Sequence, residues 1–249
     1  MPRFFVKNDQ VGEDSILLVG TDAHHAARSL RMAVGDALTV CDMRGIEYEC
    51  RIASFEEDTE VLLTICSRRE AENEPPCRIR LFQALPKGDK LDTVIQKAVE
   101  CGVSEIVPFE SERCVVRMKP EAEERKTERR QRIAAEAAKQ CGRSLIPAVC
   151  PTVSFDTMLS LAGECSLCLF CYEGDGTRPL GEILREAAPL AGRDIAIVIG
   201  SEGGFSLGEA ERAIASGMCP TGLGKRILRT ETASGFVLSC LVLVTELGL

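Results

Sequence analysis

Ile195-Ala196-Ile197-Val198-Ile199 is an uninterrupted apolar run, rich in β-branched residues, that stops abruptly at Gly200-Ser201-Glu202-Gly203-Gly204-Phe205. A strand of this kind has no polar face to offer water, so it must be covered on both sides, as in a parallel sheet wrapped by helices. The C-terminal part of the chain repeats the theme. Arg78 to Ala84, Glu105 to Phe109, Ser166 to Tyr172 and Asp194 to Ile199 read as strands, and Asp89 to Cys101, Glu121 to Cys141, Pro179 to Ala187 and Ser206 to Ser216 as helices between them. Leu91, Val94, Ile95 and Ala98 recur at helical spacing. Gly102 and Gly142 stand where left-handed caps belong, and Ser206 with Glu209 forms a capping box. A last helix is predicted over Phe236 to Leu247.

The N-terminal part reads differently. Phe4 to Val6, Ser15 to Val19, Ala37 to Val40, Ile46 to Ile52 and Val61 to Ile65 are short strands divided by turn signals, the pattern of a small β-barrel. One helix is predicted from Asp22, as its cap, to Arg31. Glu70 to Pro76 is polar and ends in two prolines, which places a boundary between domains at 1–72 and 77–249.

With 249 residues, 45% hydrophobic and 27% charged, the chain has the composition of a soluble globular protein. Its start does not resemble a signal peptide, and the apolar run Phe236 to Val244 is too short to cross a bilayer, so no membrane and a cytoplasmic location are expected. Thirteen scattered cysteines fit reduced thiols better than a disulfide framework. A net charge of −8 argues against an overall affinity for nucleic acid, but charge is unevenly spread. Acids gather at Glu56, Glu57, Asp58 and Glu60 and at Glu121, Glu123 and Glu124, and arginines at Arg125, Arg129, Arg130, Arg132 and Arg143. Such clusters form either a basic face or solvated helix faces laced with opposite-charge pairs.

Three motifs bear on chemistry. Cys165-x-x-Cys168-x-x-Cys171 has metal-like spacing, but on a strand Cys168 faces away from the other two, so no metal is expected. His24 and His25 are the only histidines, which leaves histidine-based catalysis few parts. The third is a pair of loops, Gly200 to Phe205 and Leu223-Gly224-Lys225-Arg226-Ile227-Leu228-Arg229-Thr230-Glu231-Thr232-Ala233. Glycines past a buried strand let backbone groups approach a ligand. Neither G-x-x-x-x-G-K-[ST] nor G-x-G-x-x-G occurs there, and Glu202 would repel phosphate, so a cationic or neutral ligand suits the first loop better.

Together these loops resemble the RsmE-type uridine-N3 methyltransferases of small-subunit (16S) ribosomal RNA, in the SPOUT class of knotted enzymes. The resemblance runs almost end to end, through Pro2 to Val6, His24-His25 to Arg31 and on to Gly35-Asp36, Lys87 to Lys90, Gln96 to Ala98, Gly102-Val103, Glu112-Arg113, Glu136 to Ala138, Gln140 and Arg143. It implies an α/β fold in which a PUA-like N-terminal β-barrel that helps hold RNA precedes a SPOUT domain with a trefoil knot. It also implies S-adenosylmethionine as cofactor, bound by Leu169, Glu173, Ile199, Gly200, Gly203, Gly204, Leu223, Gly224, Ile227 and Leu228. Arg229 would stabilise charge developing on the uracil, while Glu202 or Glu231 orients or accepts the N3 proton. Arg3, Arg28, Arg31, Lys87, Arg113, Arg143 and Arg226 would contact RNA. The partners implied are ribosomal RNA or the small ribosomal subunit, and a second copy in a homodimer. Ser201 and Lys225 stand where such proteins commonly carry proline, and Cys101 and Cys141 replace other small or apolar residues. Two other readings remain open, a non-catalytic RNA-binding or ribosome-assembly factor and an enzyme using another nucleotide.

Overall fold

The computed structural model describes residues 1–56 and 59–248, so Glu57 and Asp58 of the first acidic cluster lie outside the described residues. The chain forms two compact units, Met1–Glu74 with Ala138–Ile146 and Pro75–Ala137 with Pro147–Leu249.

The first unit contains β1 (Arg3–Phe5), β2 (Ser15–Val19), α1 (Gly20–His24), β3 (Ala37–Cys41), β4 (Ile46–Glu56) and β5 (Glu60–Glu70). The five strands form one sheet in the order β1-β3-β4-β5-β2, antiparallel except for the β1–β3 pair. Alternation sets which face is buried. In β2, Ile16 and Leu18 are buried while Ser15 and Val19 are exposed, and Ile16 and Leu18 meet Phe4, Leu38, Val40, Ile52 and Leu63 in one core. The helix expected from Asp22 begins earlier, at Gly20, with Val19 as its cap residue. Asp22 falls inside its first turn and its carboxylate pairs with Lys139 Nζ at 3.1 Å. Beyond His24 the backbone passes into a wider π turn over His25–Ser29, and Arg31 takes φ 54, so the α-helix does not reach Arg31.

The second unit holds β6 (Arg78–Ala84), α2 (Lys90–Glu100), β7 (Glu105–Glu110), α3 (Pro120–Cys141, whose last turn belongs to the first unit), β8 (Ala148–Val149), β9 (Val153–Ser154), α4 (Phe155–Gly163), β10 (Leu167–Cys171), β11 (Arg178–Pro179), α5 (Leu180–Ala187), β12 (Asp194–Ile199), α6 (Leu207–Ala215), β13 (Cys219–Gly222) and α7 (Thr230–Thr245). Its sheet is parallel, in the order β11-β13-β10-β12-β6-β7-β8, with β9 beside β7. The late strands do not extend an edge. β12 lies between β6 and β10, and β13 between β10 and β11. Ile195 to Ile199 are all buried, as a strand covered on both faces requires.

Several elements escape the sequence pattern, among them α4 and the two-residue strands β8, β9 and β11. β13 is a short Cys-Pro-Thr-Gly segment, and α7 starts at Thr230 rather than Phe236, because Thr, Ser and Gly in its first turns interrupt the apolar spacing. The predicted caps are present. Ser206 accepts from Glu209 N, Glu209 accepts in return from Ser206 N, and Gly102 and Gly142 take φ 83 and 81.

Candidate functional site

The C-terminal ends of β10, β12 and β13 all open into one pocket of about 900 Å³, where open α/β sheets bind ligands. Past β10 come Tyr172, Glu173, Gly174 and Thr177; past β12, Gly200 to Phe205; past β13, Leu223 to Arg229; and α2 adds Lys90. The Phe205 ring anchors the far end of the first glycine loop, with its centroid 4.5 Å from that of Phe170 and stacked on Phe109 at 6.4 Å. Glycine is needed at two positions for different reasons. At Gly174 a Cβ would lie 2.2 Å from the Tyr172 ring, whereas Gly224 takes φ 106 with open space where its Cβ would be.

Beneath the loops a buried polar cluster ties their backbones together. Gln83 Nε2 donates to Thr230 Oγ1 at 2.8 Å and to Ala84 O at 3.0 Å, and Thr230 Oγ1 donates to Gly200 O at 2.7 Å. The β12 loop and the start of α7 are thus held to the end of β6. Ser201 Oγ is buried and has no hydrogen-bond partner among the described residues. Thr221, at 0% exposure, caps its own strand by donating to Cys219 O.

Charge in the pocket is organised around Lys90. Its Nζ lies 2.8 Å from Glu202 Oε1 and 3.5 Å from Glu231 Oε2. Glu202 also accepts from Lys87 N at 3.2 and 3.3 Å. Burial opposes ionisation of Glu202, but the Lys90 ammonium and the backbone amides of Glu202 and Lys87 outweigh it and hold the carboxyl below its ordinary range. Glu231 Oε2 is buried and accepts no hydrogen bond; at 3.5 Å the ammonium is an ion-pair partner only. Arg229 forms no ion pair among the described residues, with Glu231 or any other carboxylate, and faces solvent on the pocket wall.

Of the residues picked out in the sequence, Glu173, Ile199, Gly200, Glu202, Gly203, Gly204, Leu223, Gly224, Ile227, Leu228 and Arg229 converge here, together with Arg113 and Arg226. Leu169 does not. It lies at 0% exposure within β10, between Ile197 and Cys219, and the strand reaches the pocket only from Cys171 onward. Glu231 is held beside the pocket through Lys90 and is not part of its lining. Lys87 is exposed nearby, and Arg113 Nη1 donates to Gly203 O at 3.2 Å. Arg28 and Arg31 are exposed on the first unit.

Arg3 and Arg143 have other work. Arg3 Nη1 lies 2.5 Å from Glu47 Oε1, and Arg143, 5% exposed, pairs with Glu74 at 2.5 Å. Both guanidinium groups serve the interior of the first unit, which corrects their expected placement on an RNA-facing surface. Burial pushes the thiols of Cys168 and Cys171 up to about 11 and 12, so they stay protonated near neutrality. Among the described residues no group of three potential ligands is placed to hold a metal ion, and no helix is long and apolar enough to cross a membrane.

Sequence reasoning gave no site role to Lys90, Thr177 or Gln83. Lys90 carried a signal: a cation in the first turn of a helix opposes the helix dipole and calls for a local reason. Gln83 carried none, since one amide inside an apolar strand looks the same whether or not it supports a loop.

Profiles for an RNA methyltransferase PUA domain and an RNA methyltransferase domain match residues 18–66 and 73–242. The chain is 35% identical to ribosomal RNA small subunit methyltransferase E of Bacillus subtilis, across 99% of this chain and 98% of that protein. The Synechocystis protein of the same name is 34% identical over 93% of this chain and 74% of its own length. Among solved structures, ribosomal RNA small subunit methyltransferase E from Neisseria gonorrhoeae bound to S-adenosyl methionine superposes with a TM-score of 0.84 at 28% identity, covering 98% of each chain.

Proposed function

The chain belongs to the ribosomal RNA small subunit methyltransferase E family, and from that premise we propose how its pocket works. It is an enzyme that methylates RNA of the small ribosomal subunit with S-adenosylmethionine as donor. We assign the acceptor atom as uracil N3.

When bound, S-adenosylmethionine supplies a methyl group activated by a positively charged sulfur. The pocket fits such a molecule in size and in charge. Its volume of about 900 Å³ lies in the range of cofactor sites, and the open space above Gly224 leaves room for a ligand against the backbone. Leu223, Ile227 and Leu228 provide apolar walls for an adenine ring, and Ile227, 80% exposed, has no cover from the protein itself. Glu173 and Glu202 place negative charge in the lining, which favours a cation over a phosphate.

Loss of the N3 proton leaves charge on the uracil oxygens. Arg229, on the wall with no carboxylate holding it among the described ion pairs, stabilises that charge, and a nearby carboxylate receives the proton. Lys87, Arg113 and Arg226 around the pocket and Arg28 and Arg31 on the first unit contact RNA phosphates. In this reading residues 1–72 hold RNA and 77–249 carry out transfer in the cytoplasm, as a homodimer. The insertion of β12 and β13 between strands laid down earlier supports a knotted path for the C-terminal chain.

The observation that carries the assignment is the convergence of both glycine loops with Lys90, Glu202 and Arg229 on one pocket. A passive RNA-binding factor does not require an acid grouped with an arginine that is unpaired among the described residues. Deleting the gene should remove one reverse-transcription stop from 16S ribosomal RNA, because a methyl at N3 blocks the pairing edge. Wild-type protein should restore the stop and Arg229→Ala should not. A stop pattern unchanged by the deletion overturns the assignment.

A further inference from the structure

One ammonium serves two carboxylates in this site, and the two are not equivalent. Glu202 lines the pocket and already holds Lys90 Nζ at 2.8 Å and Lys87 N at 3.2 Å. Glu231 lies outside the lining, and its Oε2 is buried, accepts no hydrogen bond among the described residues, and is 3.5 Å from the same Nζ. A buried carboxylate oxygen without a hydrogen bond is costly and calls for an explanation.

We propose that Glu202 takes the proton from uracil N3, that Lys90 is the positioning residue that releases Glu202 by moving to Glu231, and that Glu231 is a reserve counter-ion and not a base. The inference rests on the reading of the pocket as a uracil-N3 methyltransferase site. The transfer balances as follows. The N3–H proton passes to the Glu202 carboxylate, the N3 electron pair forms the new N–CH₃ bond, and the pair of the broken S–CH₃ bond stays on sulfur. As Glu202 becomes neutral its hold on the ammonium weakens, and Glu231 Oε2 stands within a small side-chain movement to receive it.

Basicity follows from the same geometry. While Lys90 sits on Glu202, the carboxyl is held below its ordinary range, which makes it a weak base but keeps it charged and aimed. Moving the ammonium away raises the affinity of Glu202 for a proton at the moment a proton arrives. Among the described residues the ion-pair partner of Glu202 is Lys90 from α2, shared with Glu231 from α7; Lys87 contributes its backbone amide, Arg113 is held on the neighbouring Gly203 O, and Glu173, Arg226 and Arg229 share the pocket lining. The roles therefore predict opposite effects. Loss of Lys90 raises the Glu202 pKa, and loss of the Glu231 charge lowers it, because the ammonium then has one partner.

The experiment compares full-length wild type with E202Q, E231Q and K90M, using small-subunit RNA or particles. A carbon-13 NMR titration of the Glu202 carboxyl without cofactor is read beside single-turnover methyl transfer against pH. K90M should move the Glu202 titration and the acidic limb of the rate profile up by about one unit or more. E231Q should move both down and lower the plateau several-fold, and E202Q should lower the single-turnover rate at saturating cofactor by about 10²-fold or more. Transfer by E202Q within tenfold of wild type, or a Glu202 titration unmoved in both K90M and E231Q, overturns the proposal. Wild-type protein that puts no methyl on uracil N3 instead overturns the reading beneath it, and this inference with it.

Discussion

At the scale of single residues, the described ion pairs separate arginines that the fold consumes from one that it leaves unpaired. Arg229 has no carboxylate among the described ion pairs, whereas Arg3 and Arg143 are paired, Arg143 buried and Arg3 partly so. Truncating Arg229 to Ala should therefore leave cofactor affinity nearly unchanged and lower turnover by about 10²–10³-fold, the usual cost of losing a group aimed at developing negative charge. Calorimetry together with single-turnover rates checks this; normal turnover at saturating cofactor with weakened cofactor binding contradicts the role. Gly224 acts through backbone. At φ 106 an L-residue is strained even though its Cβ would meet no atom, so Gly224→Ala should cost about 1–3 kcal/mol, visible as a lower Tm and weaker cofactor binding. A Tm equal to that of wild type removes the strain argument.

At the scale of elements, Glu47 on β4 joins β1, β5 and the segment Ala138–Ile146 within the first unit. It accepts from Ser144 Oγ at 2.5 Å, Arg3 Nη1 at 2.5 Å and Arg69 Nη2 at 2.8 Å. Burial by itself would raise its pKa, but these donors outweigh burial and bring it from an ordinary 4.5 to about 2. Because the folded value lies below the unfolded one, the stabilisation is complete above pH 4.5 and is lost as pH falls toward 2. The shift corresponds to about 3 kcal/mol. Glu47→Gln should lose roughly that much at neutral pH and flatten the dependence of urea stability on pH across that window; a variant with the wild-type slope refutes the linkage. How much of the molecule could be read from its sequence also divides by element. Strands with strict alternation, such as β2, and helices with a capping box, such as α6, carry their signals within a few neighbouring residues. β13 and the start of α7 do not, because they are set by pairing with β10 and by the buried Gln83–Thr230 contact, between residues far apart in sequence. The glycine loops could be read as a ligand site, yet Lys90, which organises the charge between them, comes from a helix that lies far away in the chain.

At the scale of the whole molecule, the remaining question is what covers α7. Ala233, Val237, Leu238 and Leu241 bury one side of it in the second unit. On the other side Phe236 and Leu243 are 42% and 39% exposed, and Leu247, just past the helix, is 70% exposed. Phe236 and Leu243, seven residues apart within the helix, lie on one stripe. A helix apolar on two faces needs a second apolar partner, and a second copy supplies it in the homodimer proposed above. Sedimentation at micromolar concentration should find two chains per particle. The double variant Phe236→Asp, Leu243→Asp should sediment as a folded monomer with wild-type helix content, because neither side chain belongs to the buried set, and should methylate RNA poorly if the second copy completes the site. A wild-type monomer rejects the interface. A dissociated variant with full activity keeps the interface but shows that each chain holds a complete site.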